Sequence, residues 1–176
     1  MRIEHQFSIA GFEVSVSFPD GWDADTLLPS FRPFYGKKEG QEKALLKCTV
    51  CTSVENKAAM PSGELIENTL SDMGYVSLYK EAEGYCVTLS AEQGGTLHVM
   101  QADRCFSVVS VFLHEEDKRA GHALSSLLRI AYSQAVLYLD AVSIHSSAVF
   151  CENQAFLFMG RSGTGKRTHA ALWWTY

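Results

Sequence analysis

Phe156-Leu157-Phe158-Met159-Gly160-Arg161-Ser162-Gly163-Thr164-Gly165-Lys166-Arg167-Thr168 is the stretch on which the reading of this chain turns. An apolar run enters a glycine-rich loop, a lysine follows, and Ala170-Ala171-Leu172-Trp173-Trp174 has a composition that suits a helix. The spacing Gly160-x-x-x-x-Gly165-Lys166 is that of a phosphate-binding loop. Glycine admits positive φ and leaves no side chain in the way, so successive N–H groups can converge on an anion. Lys166 is placed to reach outer phosphates. The position after the lysine ordinarily carries a Ser or Thr that ligates magnesium. Here it is Arg167, whose guanidinium has no acceptor. Thr168 follows one residue later, about 100° further around a helix. The loop therefore predicts phosphate or nucleotide binding with the magnesium contribution weakened or lost.

Outward from the loop toward the N-terminus, 142–151 and 154–159 read as two strands joined by Glu152-Asn153, an antiparallel pair. Before them, 118–138 is the longest helix candidate. Leu124, Leu127, Leu128, Ala131, Ala135 and Tyr138 recur at three- and four-residue spacing as one apolar stripe. Glu115-Glu116-Asp117 puts negative charge at the start of this helix, where its dipole favours it.

The first 115 residues read as antiparallel β. Residues 3–9 and 12–18 alternate around Ala10-Gly11, a hairpin signal. Residues 23–30 read as a short helix that Pro29 and Pro33 break, 32–43 as a loop, and 44–53 as the next strand. Leu65, Ile66, Thr69, Leu70 and Met73 follow a helical spacing that Gly74 ends. Residues 75–80, 85–91, 96–102 and 105–114 form a meander with short turns.

From 143 to 173 the sequence resembles the nucleotide-binding core shared by HPr kinase/phosphorylases and phosphoenolpyruvate carboxykinases. Ile144-His145-Ser146-Ser147-Ala148-Val149, the tight turn and the Gly-x-Ser-Gly-x-Gly-Lys loop carry the likeness. It is greatest to small bacterial HPr-kinase-related proteins with their own N-terminal domain. The resemblance implies ATP with magnesium as cofactor, with Gly160, Arg161, Ser162, Gly163, Thr164, Gly165, Lys166, Arg167 and Thr168 around the phosphates. It also implies a catalytic or positioning role for His145, and a protein or small-molecule hydroxyl as phosphate acceptor. The sequence departs from the families at Arg167. It also reaches Tyr176 before any strand that could supply their downstream aspartates, so the chain as it stands implies little or no kinase activity.

The fold expectation is α+β. An antiparallel β-rich domain spans 1–115. Residues 116–176 add a linking helix and the opening β-hairpin, P-loop and helix of a P-loop kinase-like α/β domain. A net charge of −5 argues against nucleic acid as partner. No apolar run reaches the roughly 18–20 residues that span a bilayer, and no N-terminal apolar signal core is present, so a cytoplasmic protein is expected. The five cysteines, Cys48-x-x-Cys51 included, are expected as buried or half-buried reduced thiols, because residues three apart on a strand face opposite ways. His98 and His114 lack metal-site spacing, His169 reads as a surface helix residue, and Glu81, Glu83, Glu115 and Glu116 as solvated turn residues. No Gly-x-Ser-x-Gly elbow supports a serine hydrolase. Trp173-Trp174 predicts packing against a partner and hence self-association. Two rivals stand beside the kinase-like reading. One is a peptide- or protein-binding β-rich module with a degenerate loop; the other is a truncation product without function.

Overall fold

Ala10 and Gly11, both in the left-handed region at φ 51° and 86°, make the two-residue turn that right-twisted strands require. They join strand β1 (Arg2–Ile9) to β2 (Phe12–Pro19). In this computed structural model, residues 2–36, 44–52, 60–114, 116–161 and 163–173 are described. Asp23 accepts hydrogen bonds from the N–H groups of Asp25 and Thr26 and so caps α1 (Ala24–Leu27). Pro29 does not end the ordered segment. It opens a 3-10 turn, Pro29–Phe34, and Arg32 belongs to that turn rather than to a loop. Of the expected loop, 37–43 lie outside the described residues, as does Ser53.

β3 (Leu46–Thr52) corrects the expectation of an antiparallel sheet. It pairs parallel with β2, from which the chain crosses over through α1, and parallel also with β8 (Val108–Leu113). A second correction concerns the segment expected as a helix at Leu65–Met73. Glu64–Ser71 is strand β4, paired antiparallel with β5 (Gly74–Lys80). A register shift between Leu65 and Glu67 adds one residue to one strand. The extra residue breaks the two-residue alternation and imitates helical spacing. Gly74, at φ 116°, sits where a Cβ would come within 2.4 Å of the Ser90 carbonyl oxygen, so this glycine turns a hairpin instead of ending a helix. β6 (Gly84–Ser90), β7 (His98–Asp103) and β8 complete the expected meander. The sheet order is β1-β2-β3-β8-β7-β6-β5-β4.

α2 (Ala120–Ala135) packs its stripe on the sheet. Leu124, Leu127, Leu128 and Ala131 are buried with Val16, Val50, Val87, Met100, Val109 and Val111. Each leucine so placed stabilises the fold by about 1.5–3 kcal/mol relative to exposure. Tyr138 does not join them. It lies in the 3-10 turn Val136–Leu139 and is exposed, because the tighter turn rotates it off the stripe. Arg119 precedes the helix without a side-chain cap. Asp117 instead accepts from the Arg119 N–H at 2.8 Å, and Glu115 lies outside the described residues.

The compact units part between Ala141 and Val142, not at 115, since α2 belongs to the eight-stranded sheet. In the second unit the first expected strand shortens to β9 (Ser146–Cys151), paired with β10 (Gln154–Met159) through Glu152 and Asn153 at φ 49° and 61°. α3 (Lys166–Leu172) follows the loop. Phe156 and Phe158 pack on Trp173, with ring centroids 4.8 and 6.1 Å apart. The architecture is thus mixed α+β and strand-rich, with one large sheet and one long helix. No helix among the described residues is long and apolar enough to cross a membrane.

Candidate functional site

The glycine loop runs from the end of β10 into α3. Gly163 and Gly165 stand at φ 83° and 80°, with no atom within 4 Å of where a Cβ would be. Backbone conformation, not crowding, demands glycine there. The Lys166 ammonium donates to the carbonyls of Gly160 and Arg161 at 2.8 and 3.0 Å, which holds it on the loop itself. Thr164 Oγ1 donates to the Arg161 carbonyl at 2.8 Å and tightens the turn. Ser162 lies outside the described residues. Arg167 and Thr168 are exposed on the first turn of α3, and Gly165 offers that helix no side-chain cap. From 154 to 173 the chain carries Arg161, Lys166 and Arg167 and no acidic residue, a positive stretch in a chain of net charge −5.

His145 is exposed just before β9, and its ring makes no hydrogen bond or ring contact among the described residues. The contacts of the loop run through Gly160, Arg161, Thr164 and Lys166; His145 is not among them. His169 stacks on Phe158 with centroids 5.8 Å apart, so the ring expected at the surface also covers β10. Among the described residues no group of three or more His, Cys, Asp or Glu side chains could hold a metal ion.

Cys48, Cys51 and Cys86 are buried and not joined in disulfides. Burial pushes the Cys48 thiol far up and Cys86 to about 12, which keeps both protonated and unreactive. Cys105 and Cys151 depart from expectation and are exposed, since each sits beside a turn.

Two features escaped sequence reasoning. His98 is buried; its Nε2 lies 3.0 Å from Asp117 Oδ2, and its Nδ1 accepts from the His114 N–H at 3.4 Å. This assigns the ring proton to Nε2. Burial lowers the His98 pKa against the raising effect of Asp117, while the Arg119 N–H is the largest cause lowering that of Asp117. A histidine between Leu97 and Val99 was the available signal. The second feature is a groove of about 430 Å3 on the helix side of the sheet's outer half. Met73, Val76, Leu78, Val87, Phe106 and Ile130 form its apolar surface, and Glu67, Thr69 and Ser71 of β4 stand along it. It arises because α2 covers the middle strands and stops short of β4. No periodicity in the sequence marks such a gap.

Compared with family models, curated proteins and solved structures, the chain finds no match.

Proposed function

We propose that the second unit binds a phosphate group, of ATP or a related nucleotide, in the loop 160–165, as the resemblance to HPr-type kinases implies. One observation carries the reading: left-handed glycines at 163 and 165 follow a strand and precede a lysine whose ammonium is held on the loop. The three cations, in a stretch of sequence that carries no acidic residue, add long-range attraction for an anion. α3 has only seven residues, so its dipole is a minor contributor. The residues present fit a phosphate. They do not fit magnesium at position 167, where arginine offers no oxygen. Phosphoryl transfer to a protein or small-molecule hydroxyl belongs, on this reading, to a longer form that supplies carboxylates. His145 is placed by the resemblance alone.

Calorimetric titration with ATP and with pyrophosphate, each with and without magnesium, tests this. Saturable binding indifferent to magnesium is expected. Lys166→Ala should weaken it about tenfold or more, the equivalent of about 1.4 kcal/mol, and Arg167→Ser should make it magnesium-dependent. Absence of binding in both wild type and Arg167→Ser removes nucleotide function from this chain.

A second reading is favoured by the groove. The β-rich unit would recognise a peptide or protein, with the loop kept as a structural turn. An apolar groove bordered by a few polar groups is the usual form of a binding site.

A further inference from the structure

We propose that β4 and the groove behind it dock an extended segment of a partner protein by strand addition. The segment carries apolar side chains at every second position and a basic side chain facing Glu67. The proposal rests on the second reading above and names its site.

The two edges of the sheet differ. At β1 the edge is covered: Tyr35 forms a bridge to Phe7 and stacks on its ring at 4.9 Å, and the Gly36 N–H donates to the Gln6 carbonyl at 3.2 Å. At β4 no such cover exists among the described residues. β4 pairs with β5 alone, and every residue from Glu64 to Leu70 is exposed. An edge strand presents unpaired N–H and C=O groups as a template for another strand, and proteins commonly blunt it with lysine, proline or a bulge. β4 has no lysine, arginine or proline. Its bulge lies at one end and leaves 67–71 in regular register with β5.

The two faces of β4 set the chemistry of the guest. Leu65 and Leu70 pair with Tyr79 and Tyr75 on one face, and both leucines are exposed. Glu67, Thr69 and Ser71 share the other face with the groove. An added strand would thus lay alternate side chains against the leucines. The intervening ones would lie beside Glu67 and lean over Thr69 into the groove. Lys80 stands opposite Glu64 on β5 and Arg104 lines the groove, whereas Glu67 faces Leu78, so Glu67 is the carboxylate whose charge favours one basic side chain in the guest. Main-chain pairing would supply affinity, and the groove and Glu67 would supply specificity.

The test is fluorescence polarisation of a labelled octapeptide with the full chain. Valine occupies every second position of the peptide, with lysine and phenylalanine alternating between. Saturable micromolar binding is expected. N-methylation of alternate backbone nitrogens, which blocks strand pairing, should abolish it, and glutamate in place of lysine should weaken it about tenfold or more. Glu67→Lys and Thr69→Trp are exposed changes that keep the fold, verifiable by circular dichroism; each should weaken binding of the lysine peptide about tenfold. Equal binding of the N-methylated peptide overturns strand addition. Binding untouched by both variants overturns the β4 site but leaves a peptide-binding unit. No binding of this peptide overturns the proposal, and no binding of a random peptide pool removes the second reading too. Sedimentation of the same samples gives the last outcome: a dimer broken by Glu67→Lys would assign the edge to a second copy and overturn the proposal.

Discussion

The two units bury their apolar residues very differently. In the first, three valines, three leucines and two phenylalanines from four elements are wholly or almost wholly withdrawn from water: Val14, Val16, Val50, Leu46, Leu124, Leu127, Phe7 and Phe18. In the second, Val149 is the one buried residue among those described, while Phe150, Leu157 and Met159 share an exposed face of the hairpin. A two-stranded hairpin with one short helix is marginal in water. The first unit is thus held by its interior, and the second by a turn, a ring cluster and a loop that closes on its own lysine.

Paired truncations separate these cases most sharply. Leu127→Ala empties a fully buried position against the sheet and should destabilise the first unit by about 2–5 kcal/mol. Phe150→Ala removes a larger side chain from an exposed position, 73% accessible, and should change stability by less than about 0.5 kcal/mol. Urea unfolding followed by far-ultraviolet circular dichroism measures both. A comparable loss for Phe150→Ala that grows with protein concentration would mean that a second copy covers this face of the hairpin.

The same contrast explains what could be read from the residues. The strand, the glycine turn and the helix at 154–172 were legible because an apolar run, closely spaced glycines and a helix-forming stretch are written in consecutive residues. The stripe on α2 was legible because Leu124, Leu127, Leu128 and Ala131 obey one period. β4 was not, since its bulge gives Leu65, Ile66, Thr69 and Leu70 a spacing that two structures share, and the choice was made by pairing with β5. The parallel pairing of β3 is a matter of which strands meet, to which local pattern is blind. His98 met Asp117 and His114 through folding, 19 and 16 residues apart in sequence. Besides a histidine set between two apolar residues, the charge pattern at 115–117 marked that place, and it pointed to the dipole.

A smaller effect is expected where one hydrogen bond ties α2 to the first hairpin. The Tyr132 hydroxyl donates to the Ile9 carbonyl at 3.0 Å across 123 residues. Tyr132→Phe keeps the ring and its packing and loses only this bond. The expected loss is about 0.5–1.5 kcal/mol. Amide exchange at residues 9–12 should speed up with it, while exchange in β9 and β10 stays unchanged. Equal changes in both hairpins would mean that the two units unfold as one.

The last prediction concerns pH and the buried histidine. His98 titrates below its ordinary value of 6.5 in the folded chain, because burial disfavours the imidazolium. The unfolded chain therefore binds a proton first as pH falls, and stability rises with pH wherever the unfolded state holds more protons. Stability of the first unit should be full above about pH 7 and fall as pH drops through 6.5 toward the folded value. A second loss should begin below about pH 4. Asp117, held under its usual 3.8 by the Arg119 N–H and by His98, gives up its stabilising charge there as it is protonated. His98→Gln retains a group able to donate to Asp117 but cannot titrate. Denaturant midpoints at pH 8, 7, 6 and 5 should slope downward in the wild-type chain over the lower half of that range and stay level in His98→Gln. Each proton contributes at most about 1.4 kcal/mol per pH unit, so the slope per unit bounds the number of groups involved. A wild-type slope that persists unchanged in His98→Gln would place the sensitive group outside the His98–Asp117 pair.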